Sequence, residues 1–152
     1  KLRTKQADAQ HRPVLFLIHG IMPVPNTMSV SINSTVRTYP SHDYAAIAKA
    51  IVGAKYELTL IFVGEARAQK LNQETRGKTY VPNVLSFPVT ESVGEIYICP
   101  SVAKREAKNF DLTPKGYVAY LFIHGLLHLK GHDHGDTMEQ LERRYLKQFG
   151  IK

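Results

Sequence analysis

The sequence predicts a single α+β domain in which helices pack on one small mixed sheet. The chain has 152 residues, a length that fits one domain and can bury a sizeable core without disulfides. Hydrophobic residues make up 43% and charged residues 22%, which is ordinary globular composition and argues against wholesale disorder. Strand-like and helix-like segments are mixed along the chain, and no apolar run approaches the length of a bilayer span. We therefore expect a globular domain with no membrane contact.

The beginning of the chain differs from the rest. We expect residues 1–26 to form a partly flexible N-terminal extension and residues 27–152 to form the domain. A basic start and the apolar run 14–18 loosely mimic a signal peptide, but no small-residue cleavage site follows. The single cysteine, Cys99, excludes an internal disulfide and suits a reducing compartment, so we expect a cytoplasmic protein.

The domain begins with a strand and a helix. Apolar and polar residues alternate over 29–36, as they do in a half-buried strand. Ser41 or Asp43 can cap the helix that follows, because a side-chain oxygen there can accept a backbone N–H of the first turn. We expect this helix to run to about residue 52, with Gly53 ending it.

The middle of the chain alternates between β-rich and helical segments. Pro88 should end the third strand, because proline lacks the N–H that a strand ladder uses. Gly77 should end the second helix. In chain order we expect a strand at 56–63, a helix at 65–74 that ends near residue 76, a strand at 84–87 and a strand at 95–99.

The last third of the domain predicts three helices. Pro100 and Pro114 each suit a first helical turn, where the N–H that proline lacks would have no partner anyway. Thr113 can cap the second of these helices, and Asp136 with a Glu three residues later resembles a capping box for the third. We expect the helices at 100–109, 114–130 and 136–150.

Four of the seven histidines fall within residues 124–134. His124 and His128 lie four apart on a helix that is apolar nearly all round, so their rings point from one face of a buried helix. Gly131 permits a left-handed turn that can bring His134 to the same point. The spacing H-x-x-x-H-x-x-G-x-x-H places three imidazoles on one side of a metal and leaves the other side open, as in catalytic sites. The alternative is a set of core histidines bonded to carbonyls.

The same spacing occurs in the metzincin peptidases, whose motif is H-E-x-x-H-x-x-G-x-x-H. The position of their catalytic glutamate is Gly125 here, and glycine cannot take a proton. The ligand arrangement is therefore shared, whereas peptidase chemistry is not expected. A zincin-like hydrolase stays open as an alternative function.

Three blocks of sequence closely resemble the signature of the YbeY family, which are metal-dependent endoribonucleases of bacteria and organelles. The first block, 124–134, matches the family pattern H-G-x-L-H-L-x-G-[YH]-D-H, with His132 where many members carry tyrosine. His132 is thus either a fourth possible ligand or a surface ring. The resemblance extends from about residue 28 to the C-terminus. The other blocks are L-N at 71–72 with R-G-K at 76–78 and N-V-L-S-F-P at 83–88, and G-E-I-Y-I-C at 94–99.

The resemblance implies that His124, His128 and His134 hold one zinc ion, although nickel or another divalent ion suits the same nitrogen set. A water at the open position would have its pKa lowered towards about 7 and would attack a phosphodiester. The resemblance makes Arg76 and His124 the predicted catalytic residues, with the Arg76 guanidinium as a phosphate clamp. Without it, Arg76 would be taken for a solvated loop residue.

Further residues have weaker predicted roles in the same site. Lys78 and Ser86 would bind RNA or phosphate, although Ser86 could equally bond the backbone at a strand edge. Asp133 would orient a ligand imidazole or, alternatively, bond only its local backbone. Three aromatic residues are candidates for stacking on bases or for the core: Tyr80, Phe87 and Tyr97.

The resemblance implies cleavage of single-stranded ribosomal RNA, in maturation of the 3′ end of the small-subunit RNA and in ribosome quality control. The small ribosomal subunit, and a ribosome-assembly GTPase, would be the partners. The net charge of +7 agrees with a polyanionic partner. A non-catalytic ribosome-assembly or RNA-binding metalloprotein is the main alternative, and it would close the fourth coordination position of the metal.

Overall fold

The computed structural model describes residues 28–152, so the predicted extension at 1–26 lies outside the described residues. Four strands in that range form one mixed sheet. Across the sheet their order is β1-β2-β4-β3, with β1, β2 and β4 parallel and β3 antiparallel to β4. In chain order the strands are β1 (Ser29–Ser34), β2 (Glu57–Phe62), β3 (Val84–Thr90) and β4 (Val93–Ile98).

Five α-helices complete residues 28–152, and the predicted α+β class is confirmed. Each predicted strand and helix is present with its ends shifted by a few residues. None of the described helices is long and apolar enough to cross a membrane. The helices are α1 (Tyr44–Val52), α2 (Glu65–Arg76), α3 (Pro100–Glu106), α4 (Pro114–Leu129) and α5 (Asp136–Gln148), and a short 3₁₀ helix (Ala107–Phe110) extends α3.

Helix α4 lies against one face of the sheet and forms the centre of the main core. Phe122 and Leu126 of α4 are fully buried, as are Leu60 of β2 and Ile96 of β4 on the facing strands. Helices α1 and α5 both pack against α4 and contribute to the same apolar cluster. The apolar residues that surround nearly all of α4 thus contact the sheet, α1 and α5.

A smaller apolar cluster covers the opposite face of the sheet. Side chains alternate along β4, so Ile96 faces α4 while Tyr97 faces the second cluster. Ala68 of α2 and Val102 of α3 pack there, together with Cys99, whose thiol is buried. This second cluster fixes α2 against the sheet, and α2 ends at Arg76.

The prediction that Pro88 ends the third strand is wrong. Strand β3 continues to Thr90 and pairs Pro88 with Gly94 of β4. The Cys99 N–H donates to the Asn83 carbonyl at 3.0 Å. In an antiparallel pair this places the backbone N–H and C=O groups of residues 83, 85 and 87 towards β4, whereas those of residues 84, 86 and 88 point away from β4. Pro88 falls at an outward position of an edge strand, where the ladder uses no N–H.

The helix ends confirm some capping predictions and correct one. Asp43 caps α1 by accepting from the Ala46 N–H, and the Thr113 hydroxyl accepts from the Gly116 N–H, both at 3.0 Å. The capping box predicted at Asp136 is wrong, because Asp136 is the first residue of α5 and glycine precedes it without a side-chain bond. The reason is that the turn before α5 needs unusual backbone angles that a glycine provides.

Candidate metal centre and adjoining cavity

Three histidines converge at the end of α4 and the turn after it. His124 and His128 lie one turn apart on one face, with their Nε2 atoms 3.1 Å apart. Gly131 adopts a left-handed backbone with φ of 99°, and the chain then returns His134 to the same place. One ring nitrogen of each histidine lies within 4.8 Å of those of the other two. The structure therefore brings together the three residues predicted as ligands.

Hydrogen bonds fix the tautomer of two of the imidazoles. His124 Nδ1 donates to the Glu142 carboxylate at 2.6 Å, and His128 Nδ1 donates to the His132 carbonyl at 2.9 Å. A proton held on Nδ1 leaves the lone pair on Nε2, which is the form that binds a metal. Three imidazoles so arranged fit a divalent transition ion. His132 contributes its carbonyl, and its ring is outside the group of possible ligands.

The environment of His128 favours its neutral form. Burial lowers the pKa of His128, and the neighbouring His124 and His134 lower it further. A lowered pKa means that His128 carries no second proton in most molecules at neutral pH, so a metal ion would not have to displace one.

Glu142 is the site residue that the sequence did not predict. It lies on α5, its side chain is 8% exposed, and it also accepts a hydrogen bond from the Tyr120 hydroxyl at 3.3 Å. No spacing rule connects α5 with α4, because only the packing of the two helices brings Glu142 to His124. One signal was available: Glu142 shares a face of α5 with the buried Met138 and Tyr145, and a carboxylate on a core-facing stripe needs a partner.

Asp133, predicted either to orient a ligand imidazole or to bond only its local backbone, is not a hydrogen-bond partner of the three histidines in the structure. Its side chain is exposed, and between residues 28 and 152 its carboxylate makes no hydrogen bond to the three histidines. The acceptors found at Nδ1 are instead Glu142 for His124 and a backbone carbonyl for His128.

A cavity of about 440 Å³ opens beside the three histidines. Helix α4 forms one wall, and residues 82–88, which include all of β3 up to Pro88, form another. Three residues were predicted to bind RNA or phosphate. Ser86 and Arg76 line this cavity, whereas Lys78 is exposed and lies outside its lining.

Arg76 occupies the last position of α2, where Gly77 ends the helix with a φ of 66°. Its Nη1 donates to the Asn72 side-chain oxygen at 3.4 Å and to the Tyr80 hydroxyl at 3.2 Å. Asn72 is fully buried and belongs to the sequence block that resembled the YbeY family. The guanidinium is thus held in the same cavity as the three histidines.

The three aromatic candidates have different environments. Tyr97 is 5% exposed and belongs to the second apolar cluster, and Phe87 packs edge-on against it with ring centroids 5.8 Å apart. Tyr80 is 53% exposed and lines the cavity. Of the three, only Tyr80 is therefore an exposed aromatic residue at the cavity.

Gly125 occupies the position of the metzincin glutamate and has a packing role. A Cβ built there would lie 3.1 Å from the Ile96 Cδ1 atom, which is closer than ordinary contact. Glycine thus allows α4 to approach β4 closely, and any longer side chain at this position would be crowded against Ile96 of the sheet. This packing argues against a peptidase-like general base at this position.

Comparisons with known proteins agree with the resemblance seen in the sequence. A family model described as Endoribonuclease YbeY matches residues 27–150. A protein named Endoribonuclease YbeY from Bdellovibrio bacteriovorus is 45% identical over 101 residues, 65% of this chain and 65% of that protein. One from Methylobacillus flagellatus is 39% identical over 111 residues, 68% of this chain and 74% of that protein. The match thus spans about two thirds of the length of these curated relatives.

A solved structure shares the fold. The solution structure of TM1509 from Thermotoga maritima covers 80% of this chain and 89% of its own, with a TM-score of 0.57 and 27% sequence identity.

Proposed function

Since the chain belongs to the YbeY endoribonuclease family, we propose that it is a metal-dependent endoribonuclease that cleaves single-stranded ribosomal RNA. The observation that carries the proposal is the presence of the three-histidine group and the Arg76 guanidinium in one cavity. Phosphodiester cleavage needs an activated water and a positive clamp on the phosphate, and this cavity offers residues for both.

We assign His124, His128 and His134 as the ligands of one divalent ion, with zinc first and nickel also suited to the nitrogen set. When bound, such an ion polarises a phosphate oxygen and lowers the pKa of a water to near neutrality. Glu142 holds a proton on His124 Nδ1 and so keeps Nε2 available. His124 is catalytic in this assignment through its role as a ligand.

Arg76 would bind the phosphodiester that is cleaved. A guanidinium donates two parallel hydrogen bonds to phosphate oxygens and stabilises the negative charge that develops on them. Ser86 on the β3 wall would donate a further hydrogen bond to the RNA. Lys78, outside the cavity, would add only long-range attraction.

Single-stranded RNA fits this cavity better than duplex. Unpaired nucleotides can enter a recessed site one at a time, whereas a duplex exposes only its grooves and outer phosphates. The net charge of +7 attracts such a strand. By family resemblance we propose the small-subunit ribosomal RNA as substrate, the small ribosomal subunit and an assembly GTPase as partners, and the cytoplasm as the compartment.

The test is cleavage of a single-stranded RNA by highly purified protein, with His128→Ala and His132→Ala prepared in parallel. His132→Ala is the matched control, because its ring lies outside the ligand group and its carbonyl is retained. We expect wild type and His132→Ala to cut and His128→Ala to lose at least about a hundredfold in rate.

Each other result contradicts the proposal in a defined way. Equal activity of wild type and His128→Ala would indicate a contaminating nuclease. RNA binding without scission by the metal-loaded wild type would favour the non-catalytic assembly protein. Digestion of a peptide instead of RNA would favour the zincin-like hydrolase.

A further inference from the structure

Tyr80 is the most exposed large hydrophobic side chain among residues 28–152, at 53%. Within that range its ring stacks on no other aromatic ring, whereas the comparably exposed Phe110 stacks on Tyr117 at 4.8 Å. Tyr80 also lines the cavity, which Phe110 does not. An uncovered aromatic face at the wall of a cavity is a surface on which a planar ligand can stack.

The backbone that carries Tyr80 is fixed to α2 by two amide side chains. Asn72 Nδ2 donates to the Tyr80 carbonyl at 3.0 Å, and Gln69 Nε2 donates to the Thr79 carbonyl at 2.6 Å. Asn72 is fully buried, so its bond is shielded from competing water. The backbone that carries the ring is therefore held in place before any ligand arrives, which lowers the entropic cost of binding.

Arg76 connects the ring to a positive charge. Its Nη1 donates to the Tyr80 hydroxyl at 3.2 Å and to the Asn72 side-chain oxygen at 3.4 Å. The guanidinium carries further N–H groups on Nη2 and Nε, and these suit the oxygens of a phosphate. A stacking face and a phosphate-binding group thus lie within one hydrogen bond of each other.

We propose that Arg76 and Tyr80 form a one-nucleotide subsite, in which an unpaired base stacks on the Tyr80 ring and its phosphate binds Arg76. The inference rests on the proposed RNA-cleaving function of the same cavity and specifies how the strand is held there. Asn72 is a positioning residue for both groups. Because every base has a stacking face, the subsite accepts any base and selects for unpaired nucleotides.

The test uses adenosine monophosphate, adenosine and ribose 5-phosphate as probes, with binding to the full chain followed by NMR titration. We expect the nucleotide to bind more tightly than either fragment. Tyr80→Leu should weaken the binding of the nucleotide about fivefold to a hundredfold, the usual range for loss of one base stack. Tyr80→Phe keeps the ring and should weaken it by less than about fivefold.

Tyr39→Leu is the matched control, because Tyr39 is 39% exposed and lies outside the cavity lining. Its affinity for the nucleotide should stay within about twofold of wild type. The proposal is overturned if Tyr80→Leu binds the nucleotide as wild type does, or if the nucleotide binds no more tightly than ribose 5-phosphate.

Kinetics on RNA separate this inference from the proposed function. Compared with Tyr80→Phe, which also lacks the hydroxyl that binds Arg76, Tyr80→Leu should raise KM by the same factor as the dissociation constant, because it additionally removes the ring on which the base stacks. The probes contain no internucleotide bond, so their binding is measured whether or not the protein cuts RNA. Cleavage with an unchanged KM in Tyr80→Leu would refute the subsite and leave the endoribonuclease proposal intact.

Discussion

The carboxylate of Glu142 determines which nitrogen of His124 faces the proposed metal. It lies 2.6 Å from Nδ1 and is nearly buried, so it accepts a hydrogen bond from a proton on Nδ1 and leaves Nε2 free to bind the metal. Glu142→Gln keeps the shape of the side chain and removes the charge. We expect the zinc affinity to fall about tenfold to a hundredfold, as is usual when the hydrogen-bond partner of a ligand is lost. Competition with a chromophoric chelator measures it.

Asp133→Asn is the control for this experiment, because the sequence offered Asp133 as one possible partner of a ligand imidazole and its side chain is exposed. Its zinc affinity should stay within about threefold of wild type. A larger loss for Asp133→Asn than for Glu142→Gln would return the orienting role to Asp133.

Gly125 of α4 lies close to Ile96 of β4. Gly125→Ala should gain about 1 kcal/mol of helix propensity and lose about 1–3 kcal/mol through overpacking against Ile96. We therefore expect a net destabilisation of about 1 kcal/mol in urea unfolding. Ile96→Val removes the Cδ1 atom that the new Cβ would meet at 3.1 Å.

In the Ile96→Val background, Gly125→Ala should be neutral or stabilising. The coupling between the two substitutions in a double-mutant cycle should be at least about 0.5 kcal/mol. Additive effects would show that the cost of Gly125→Ala arises elsewhere on α4.

The candidate site was predictable only as far as local sequence reaches. Three histidines on one helix and one tight turn obey spacing rules, so they could be placed from the chain alone. Glu142 could not, because its contact with His124 exists only after α5 has packed on α4. The bond between Arg76 and Tyr80 likewise depends on how the segment after α2 folds back.

At the scale of elements, the same division appears between local and long-range information. Capping by Asp43 and Thr113 was visible because each bond spans three residues. The strand order and the position of β3 at an edge of the sheet were not visible, and they are why Pro88 is tolerated inside β3. A proline excludes a central strand but is compatible with an edge strand.

Strand β4 is buried on both faces and contains a carboxyl group, Glu95, that is 6% exposed. Burial raises the pKa of Glu95, and a hydrogen bond from the Tyr97 hydroxyl opposes the rise in part. Because this pKa lies above that of the unfolded chain, the protonated Glu95 contributes fully to the free energy of unfolding below pH 4.5. This contribution is lost as the pH rises through the pKa of the folded state.

Glu95→Gln removes this titration. The unfolding free energy of wild type should therefore fall relative to that of Glu95→Gln as the pH rises from about 4 to about 7. Urea unfolding at several pH values measures the difference. Glu91→Gln, in the exposed turn between β3 and β4, is the control and should parallel wild type. Parallel curves for Glu95→Gln as well would contradict the assignment.

At the scale of the whole molecule, the family model matches residues 27–150, and every predicted site residue lies within that range. We therefore propose that residues 27–152 are the folding domain. Removal of residues 1–26 should leave the midpoint of thermal unfolding within about 3 °C and the zinc affinity within about threefold. A chain that fails to fold after this removal would show that the first 26 residues belong to the domain.

A metal bound by the three histidines would link three parts of the fold, namely α4, the turn after it and, through Glu142, α5. A ligand that binds only the folded chain stabilises it by RT ln(1 + [L]/Kd), about 2.7 kcal/mol at a hundred times Kd. For a domain of this size we expect zinc to raise the midpoint of thermal unfolding by about 5–10 °C, and a chelator to reverse the rise.

His134→Ala separates metal binding from packing. His134 is exposed, so its removal should change the stability of the metal-free protein by no more than about 0.5 kcal/mol while abolishing most of the zinc-dependent rise. His128→Ala is less informative, because His128 is partly buried and its loss also removes packing. Equal zinc-dependent shifts in wild type and His134→Ala would mean that zinc binds elsewhere. A shift confined to proteins that retain all three histidines would make zinc binding part of the stability of the fold.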